Sequence, residues 1–220
     1  MALLEVEGVK KGFRGRTVVN SVSFSVEEGQ IVGLLGPNGA GKTTSFKMIV
    51  GMLTPEAGKV LFKGEDVTRL PMFRRARKGM GYLSQEPSVF QRMTVRQNLL
   101  AVLEARGMRK RERRSRSDSV LEEFGLTHVA RSKAFSLSGG ERRKLEIARA
   151  LITEPALLLL DEPFSGVDPI AVSGLQNVIR DLSRKGMGIL LTDHSVRETL
   201  KVTDRAYIIR EGNILVHGTS

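Results

Sequence analysis

The sequence predicts an α/β chain: an open sheet flanked by helices, with antiparallel β structure at its start and a helical insert in its middle. Three observations carry that prediction. Runs such as Ile31–Leu35 and Leu157–Leu160 are apolar throughout, the pattern of strands covered on both faces. Between them stand stretches with helical spacing and glycine stops. Before them, Val22, Phe24 and Val26 alternate with Ser23 and Ser25, which marks a half-buried antiparallel strand closed by Glu28-Gly29.

In chain order, Ile31–Leu35 followed by Gly36 reads as a central strand, and a helix is predicted from near Gly41 to around Gly51. Val60–Phe62 and Gly81–Ser84 read as short strands. Thr94-Val95-Arg96-Gln97 is a capping-box signature, with Val95, Leu99, Val102 and Leu103 at helical spacing behind it. Val120, Leu121 and Phe124, stopped by Gly125, predict a second helix. Residues 86–137 are therefore expected to form a helical portion of a single domain spanning 1–220, with 1–85 and 138–220 as its core. After Leu157–Leu160, Asp168-Pro169 supplies an N-cap with proline in the first turn. Leu175, Val178, Ile179 and Leu182 form the apolar stripe of that helix, and Gly186 ends it. Gly188–Thr192 is again a buried strand, and the segments around Glu211-Gly212 predict a closing hairpin.

Composition narrows the function. A chain of 220 residues buries roughly 70 per cent of its unfolded surface and needs no staples. It has no cysteine, which excludes a disulfide framework, a cysteine zinc site and a thiol nucleophile. An aliphatic run such as Ala156–Leu160, which no other run exceeds, is far short of the roughly 20 residues of a spanning helix. The start, MALLEVEGVK, has neither a basic n-region nor a long apolar core, so the chain is expected in the cytoplasm. The net charge of +11 suits a polyanionic partner. Part of it lies in the basic run Arg109–Arg116, read as a solvated helix face in preference to a DNA contact. With 5% aromatic residues and no Trp, no stacking platform for single strands is expected, and no nucleic-acid partner.

Three motifs carry chemistry. GPNGAGKT, Gly36–Thr43, matches the phosphate-loop pattern at every fixed position, between a buried strand and a helix. Its glycines let backbone N–H groups converge on phosphate oxygens, and the helix end adds partial positive charge. Gly36, Pro37, Asn38, Gly39, Ala40, Gly41, Lys42, Thr43 and Thr44 are assigned to nucleotide binding. Within the loop, Lys42 neutralises the β- and γ-phosphates, and the Thr43 hydroxyl is offered to Mg²⁺. LLLLDE, Leu157–Glu162, delivers two carboxylates at a strand's carboxyl end. Asp161 is assigned to Mg²⁺, held through water, and Glu162 to the attacking water, whose proton it accepts or which it orients. LSGGE, Leu137–Glu141, places Ser138, Gly139 and Gly140 at a helix start, a second anion site of backbone N–H groups.

The set GPNGAGKT, Gln85, LSGGE, LLLLDE, SGVD and His194, in that order, resembles the nucleotide-binding subunits of ATP-binding-cassette (ABC) transporters over nearly the whole chain. The resemblance implies a P-loop NTPase fold with a mixed central sheet, an N-terminal antiparallel β subdomain and an α-helical subdomain. It implies ATP and Mg²⁺ as cofactors and a head-to-tail homodimer, with ATP between the P-loop of one subunit and the LSGGE of the other. It places Gln85 at the hinge that senses Mg²⁺, Asp168 across the dimer interface, His194 at the γ-phosphate and attacking water, and Phe13 against adenine. Within the family, GYLSQEPSVF (81–90), DEPFSGVDPIAV (161–172) and TDHSVRETL (192–200) look like the ATPases of lipopolysaccharide export. That likeness implies membrane subunits docking near Gln85, Phe90 and Arg92, with the chain peripheral on the cytoplasmic face of the inner membrane. ATPases of branched-chain amino-acid importers are closely similar, and soluble cassettes acting on DNA or ribosomes form a further class. The resembling chains continue into a C-terminal helical tail, whereas this sequence stops at His217-Gly218-Thr219-Ser220.

Overall fold

The computed structural model describes residues 2–86, 88–165 and 169–219, with only the backbone of 169–171. The chain opens with strands β1 (Leu4–Phe13), β2 (Arg16–Val26) and β3 (Ile31–Leu35), then helix α1 (Lys42–Val50). Strands β4 (Ala57–Phe62) and β5 (Glu65–Asp66), helix α2 (Met72–Lys78) and strand β6 (Met80–Leu83) follow. Next come helices α3 (Val95–Ala105), α4 (Lys110–Glu123) and α5 (Gly139–Leu151). The chain closes with β7 (Leu157–Asp161), α6 (Pro169–Arg184), β8 (Gly188–Asp193), α7 (Val196–Leu200), β9 (Arg205–Arg210) and β10 (Asn213–Thr219). These elements form two compact units, Met1–Gln85 with Ala156–Ser220, and Glu86–Pro155.

The first unit holds two sheets. One is antiparallel, in the order β2-β1-β4-β5. The other runs β10-β9-β3-β8-β7-β6, parallel throughout except for the antiparallel β9–β10 hairpin at its edge. It is therefore the mixed sheet expected. β3, β7 and β8 are buried at every position, so their leucines and isoleucines face packed structure on both sides. Phe46, Met48 and Ile49 of α1 share one core with Val6, Val22 and Phe24 of the antiparallel sheet and Leu159, Leu190 and Ile209 of the mixed sheet.

Helix α2, whose basic sequence gave no strong signal, is fixed by a buried arginine. Arg75 is 1% exposed and donates to the carbonyls of Met48 and Ile49 in the last turn of α1, and to those of Thr68 and Leu70. A cation at a helix's carboxyl end meets the negative pole of its dipole. Burial pulls the Arg75 pKa down to about 10, still well above neutral pH.

In the second unit, Thr94 caps α3 and completes the predicted box with Gln97. Val95, Leu99 and Leu103 of α3, Val120 and Leu121 of α4, and Leu145, Ala148 and Ile152 form one core. This corrects the expected boundary at 137. The apolar stripe of α5 is buried against α3 and α4, so the helical unit runs to Pro155. The basic run lies along α4, where Arg113 pairs with Glu104 at 2.8 Å and Arg116 with Glu154 at 2.6 Å, in keeping with a solvated face.

Candidate nucleotide site

The phosphate loop leaves the carboxyl end of β3 and enters α1. Two of its glycines are required by close approach. A Cβ on Gly36 would lie 2.1 Å from the carbonyl oxygen of Ile209 on β9. Gly41 holds φ +106°, and its Cβ would lie 2.8 Å from the carbonyl oxygen of Val18 on β2. No side chain caps the N-terminus of α1 and no acid stands in its first turn, which suits an incoming anion. Lys42 is 5% exposed, and its ammonium bends back over the loop to donate to Gly36 O at 2.6 Å and Pro37 O at 3.0 Å. Thr43 and Thr44 are half-buried at the helix start, while Pro37, Asn38 and Gly39 form an exposed rim. Ala40 is buried, and its carbonyl accepts the N–H of Gly212 at 3.0 Å. Phe13, at the end of β1, is largely exposed, with the Lys11 ammonium 5.8 Å from its ring centroid.

The acids stand at the ends of β7 and β8. Asp161 is buried and accepts the Thr192 hydroxyl at 2.7 Å. Glu162 follows with φ +48°, a left-handed conformation that an L side chain holds only at a cost of roughly 1–2 kcal/mol. Its N–H donates to the carbonyl oxygen of Thr192 at 2.9 Å. That conformation brings its carboxylate to Gln85, whose Nε2 donates to Glu162 Oε2 at 2.9 Å. Nδ1 of His194 stands 3.6 Å from the same oxygen. Three residues singled out far apart in sequence thus meet at one carboxylate. Asp193, fully buried between them, was not singled out. Its only sequence signal is a polar residue closing the buried run before His194.

Among the described residues no cluster of three or more acids and histidines could hold a metal. Mg²⁺ needs no such cage, because it takes one or two carboxylates together with phosphate oxygens and water. The Asp161 carboxylate and the Thr43 hydroxyl fit that donor set.

In the helical unit, Ser138 is the N-cap of α5. Its hydroxyl accepts the Glu141 N–H at 3.3 Å, and its own N–H donates to Glu141 Oε2 at 2.9 Å. The hydrogen bonds from Ser138 hold the Glu141 carboxyl below the usual carboxylate range, with His128 at 3.1 Å adding to the effect. Ser138, Gly139 and Gly140 are exposed, leaving the first turn of α5 open to an anion. Asp168 lies outside the described residues.

A strand-borne phosphate loop beside an acid pair on a parallel sheet defines a P-loop nucleotide-binding protein. Residues 19–165 match the ABC transporter family, and the chain belongs to that family. It is an ATP-binding-cassette ATPase, with ATP and Mg²⁺ as its cofactors. Among its relatives is the lipopolysaccharide export system ATP-binding protein LptB of Haemophilus influenzae, 51% identical over 100% of this chain and 91% of that protein. The LptB of Escherichia coli K12 is 50% identical with the same coverage. An uncharacterized ABC transporter ATP-binding protein of Rhizobium meliloti is 54% identical over 98% of this chain and 80% of its own length. The crystal structure of the ADP conformation of an ATP-binding cassette of an ABC transporter covers 100% of this chain and 92% of its own, at TM-score 0.90 and 30% identity.

Proposed function

We propose that this chain is the ATP-hydrolysing subunit of a transporter that moves lipopolysaccharide out of the inner membrane, acting as a homodimer on the cytoplasmic face. The observation that carries the hydrolytic reading is the convergence of Gln85 and His194 on one oxygen of Glu162. The full-length likeness to LptB proteins of two organisms supports the cargo.

In this reading Lys42 and the loop from Gly36 to Thr44 bind the phosphates, and Phe13 stacks on the base. Thr43 and Asp161 hold Mg²⁺, which supplies charge neutralisation at the β- and γ-phosphates when bound. Glu162 takes the proton of the attacking water. Gln85 orients the carboxylate, and His194 faces the water and the γ-phosphate. Ser138, Gly139 and Gly140 close on the nucleotide of the partner subunit, and Asp168 acts across that interface. The membrane subunits dock near Gln85, Phe90 and Arg92. Phe90 offers an exposed ring, and its backbone is gripped on both sides by the Asn98 amide at 2.8 and 3.1 Å. Among the described residues no helix is long and apolar enough to cross a membrane.

The test is to purify the chain from its own membranes and identify its companions by mass spectrometry. Lipopolysaccharide-export membrane subunits are expected. Amino-acid importer subunits would move the cargo and keep the mechanism, while ribosomes or DNA-repair proteins without a membrane protein would overturn the transport reading.

A further inference from the structure

We propose that Asp193 is a positioning residue that locks the Glu162 loop and the His194 loop into one arrangement; this rests on the hydrolytic roles proposed for those two residues. Asp193 ends β8, opposite Leu35, the last residue of β3 before the phosphate loop. It is 0% exposed. Its Oδ2 accepts the N–H of Phe164 at 3.0 Å, two residues beyond Glu162. Its Oδ1 accepts the N–H of Ser195 at 2.8 Å, one residue beyond His194, and lies 3.4 Å from His194 Nδ1.

The chemistry requires a carboxylate. Two backbone donors from different segments arrive at the two oxygens of one side chain, and an ionised acid offers acceptors on both. An asparagine offers one acceptor and turns an N–H₂ group towards the second donor. The grip has work to do, because Glu162 sits at φ +48° and such a conformation persists only where the surroundings hold it. The turn that carries it closes with Ser165 N–H on Glu162 O at 3.2 Å, and Asp193 pins Phe164 inside that turn. Among the described residues the Asp193 side chain accepts hydrogen bonds from the segments carrying Glu162 and His194, so its effect is assigned to the step after nucleotide binding.

The test measures phosphate release by the full chain with Mg²⁺ and ATP, for the parent, Asp193→Ala, Asp193→Asn, Glu162→Gln and the Glu162→Gln/Asp193→Ala double variant. For Asp193→Ala, kcat is expected to fall about 10- to 100-fold, the scale of a small misplacement at a reacting centre, with KM for ATP within about twofold. Asp193→Asn, which keeps one acceptor, falls between Asp193→Ala and the parent. The double variant turns over no more slowly than Glu162→Gln alone, because both changes remove the same contribution. A parent-like kcat for Asp193→Ala, equal changes in kcat and KM, or additive losses in the double variant would overturn the proposal. Heat unfolding accompanies each assay. Should Asp193→Ala unfold, the isosteric Asp193→Asn carries the kcat–KM comparison, and unfolding of both makes the role structural and ends the proposal. Parent-like turnover by Glu162→Gln would instead overturn the hydrolytic reading, whatever Asp193 does.

Discussion

Gln85 donates its side-chain amide to Glu162 across 2.9 Å, although 77 positions separate the two residues in the chain. They meet because β6 and β7 are parallel neighbours, with Leu83 paired to Leu160, so that each residue stands two places beyond a paired leucine. His194 reaches the same carboxylate from β8, the next strand. The site thus lies along the carboxyl end of one sheet.

Glu162→Gln keeps the shape of the side chain and removes its basicity. Phosphate release should drop by about 10²-fold or more, the scale of a lost general base. ATP binding should persist, and an ATP-bound dimer should accumulate on size-exclusion chromatography. Parent-like turnover would show that another group takes the proton.

Lys42→Ala removes the ammonium held over the loop's first two carbonyls. A charge-assisted hydrogen bond contributes about 1.5–3 kcal/mol, so Kd for ATP should rise roughly 10- to 100-fold in calorimetry. An unchanged Kd would place the phosphates elsewhere.

Two glycines of the loop should respond differently to alanine. At Gly36 the new methyl meets the Ile209 carbonyl at 2.1 Å, and relief requires movement of β9 or the loop. A loss of about 3 kcal/mol is expected, or roughly 6–12 °C in Tm for a chain of this size. At Gly39 nothing lies within 4 Å and only φ +79° is unfavourable, so about 1 kcal/mol is expected. Differential scanning calorimetry without nucleotide separates the two. Equal losses would mean that backbone conformation, not the contact with Ile209, controls Gly36.

The Ser138–Glu141 box should leave an acid signature. Ser138 holds the Glu141 carboxyl below its ordinary value, so the folded chain takes up this proton at lower pH than the unfolded chain. The contribution is complete above the ordinary glutamate range and is lost as pH falls through the lowered value. The Tm gap between the parent and Ser138→Ala should therefore be widest near neutral pH and shrink on acidification. A gap that does not vary with pH would show that the ionised carboxylate contributes nothing to this cap.

Local chemistry was legible in the sequence, and long-range choices were not. The boxes at Thr94 and Ser138 depend on residues three apart, and the buried strands announce themselves as apolar runs. The stripe on α5 showed that this helix buries a face, but periodicity does not say against what. That face shares one core with α3 and α4. Nothing in the segment MFRRARK sets Arg75 apart from Arg74, Arg77 and Lys78. The carbonyl partners of Arg75 on α1 lie 26 and 27 positions away, so nothing nearby marked it as buried. The left-handed turn at Glu162 and the grip of Asp193 arise from pairing between segments about 30 residues apart, which a single sequence does not display.

The ladder of Leu83, Leu160 and Leu191 across β6, β7 and β8 acts as a jig. Gln85, Glu162 and His194 are fastened to it at fixed offsets, and none chooses its own height. A slip of one strand by a single residue, about 3.3 Å, would carry one of them out of reach and turn its strand's side chains to the opposite face. Substitutions deep in the aliphatic ladder, with no atom near a nucleotide, therefore act as alignment errors. They can silence turnover in a chain that still folds and still binds.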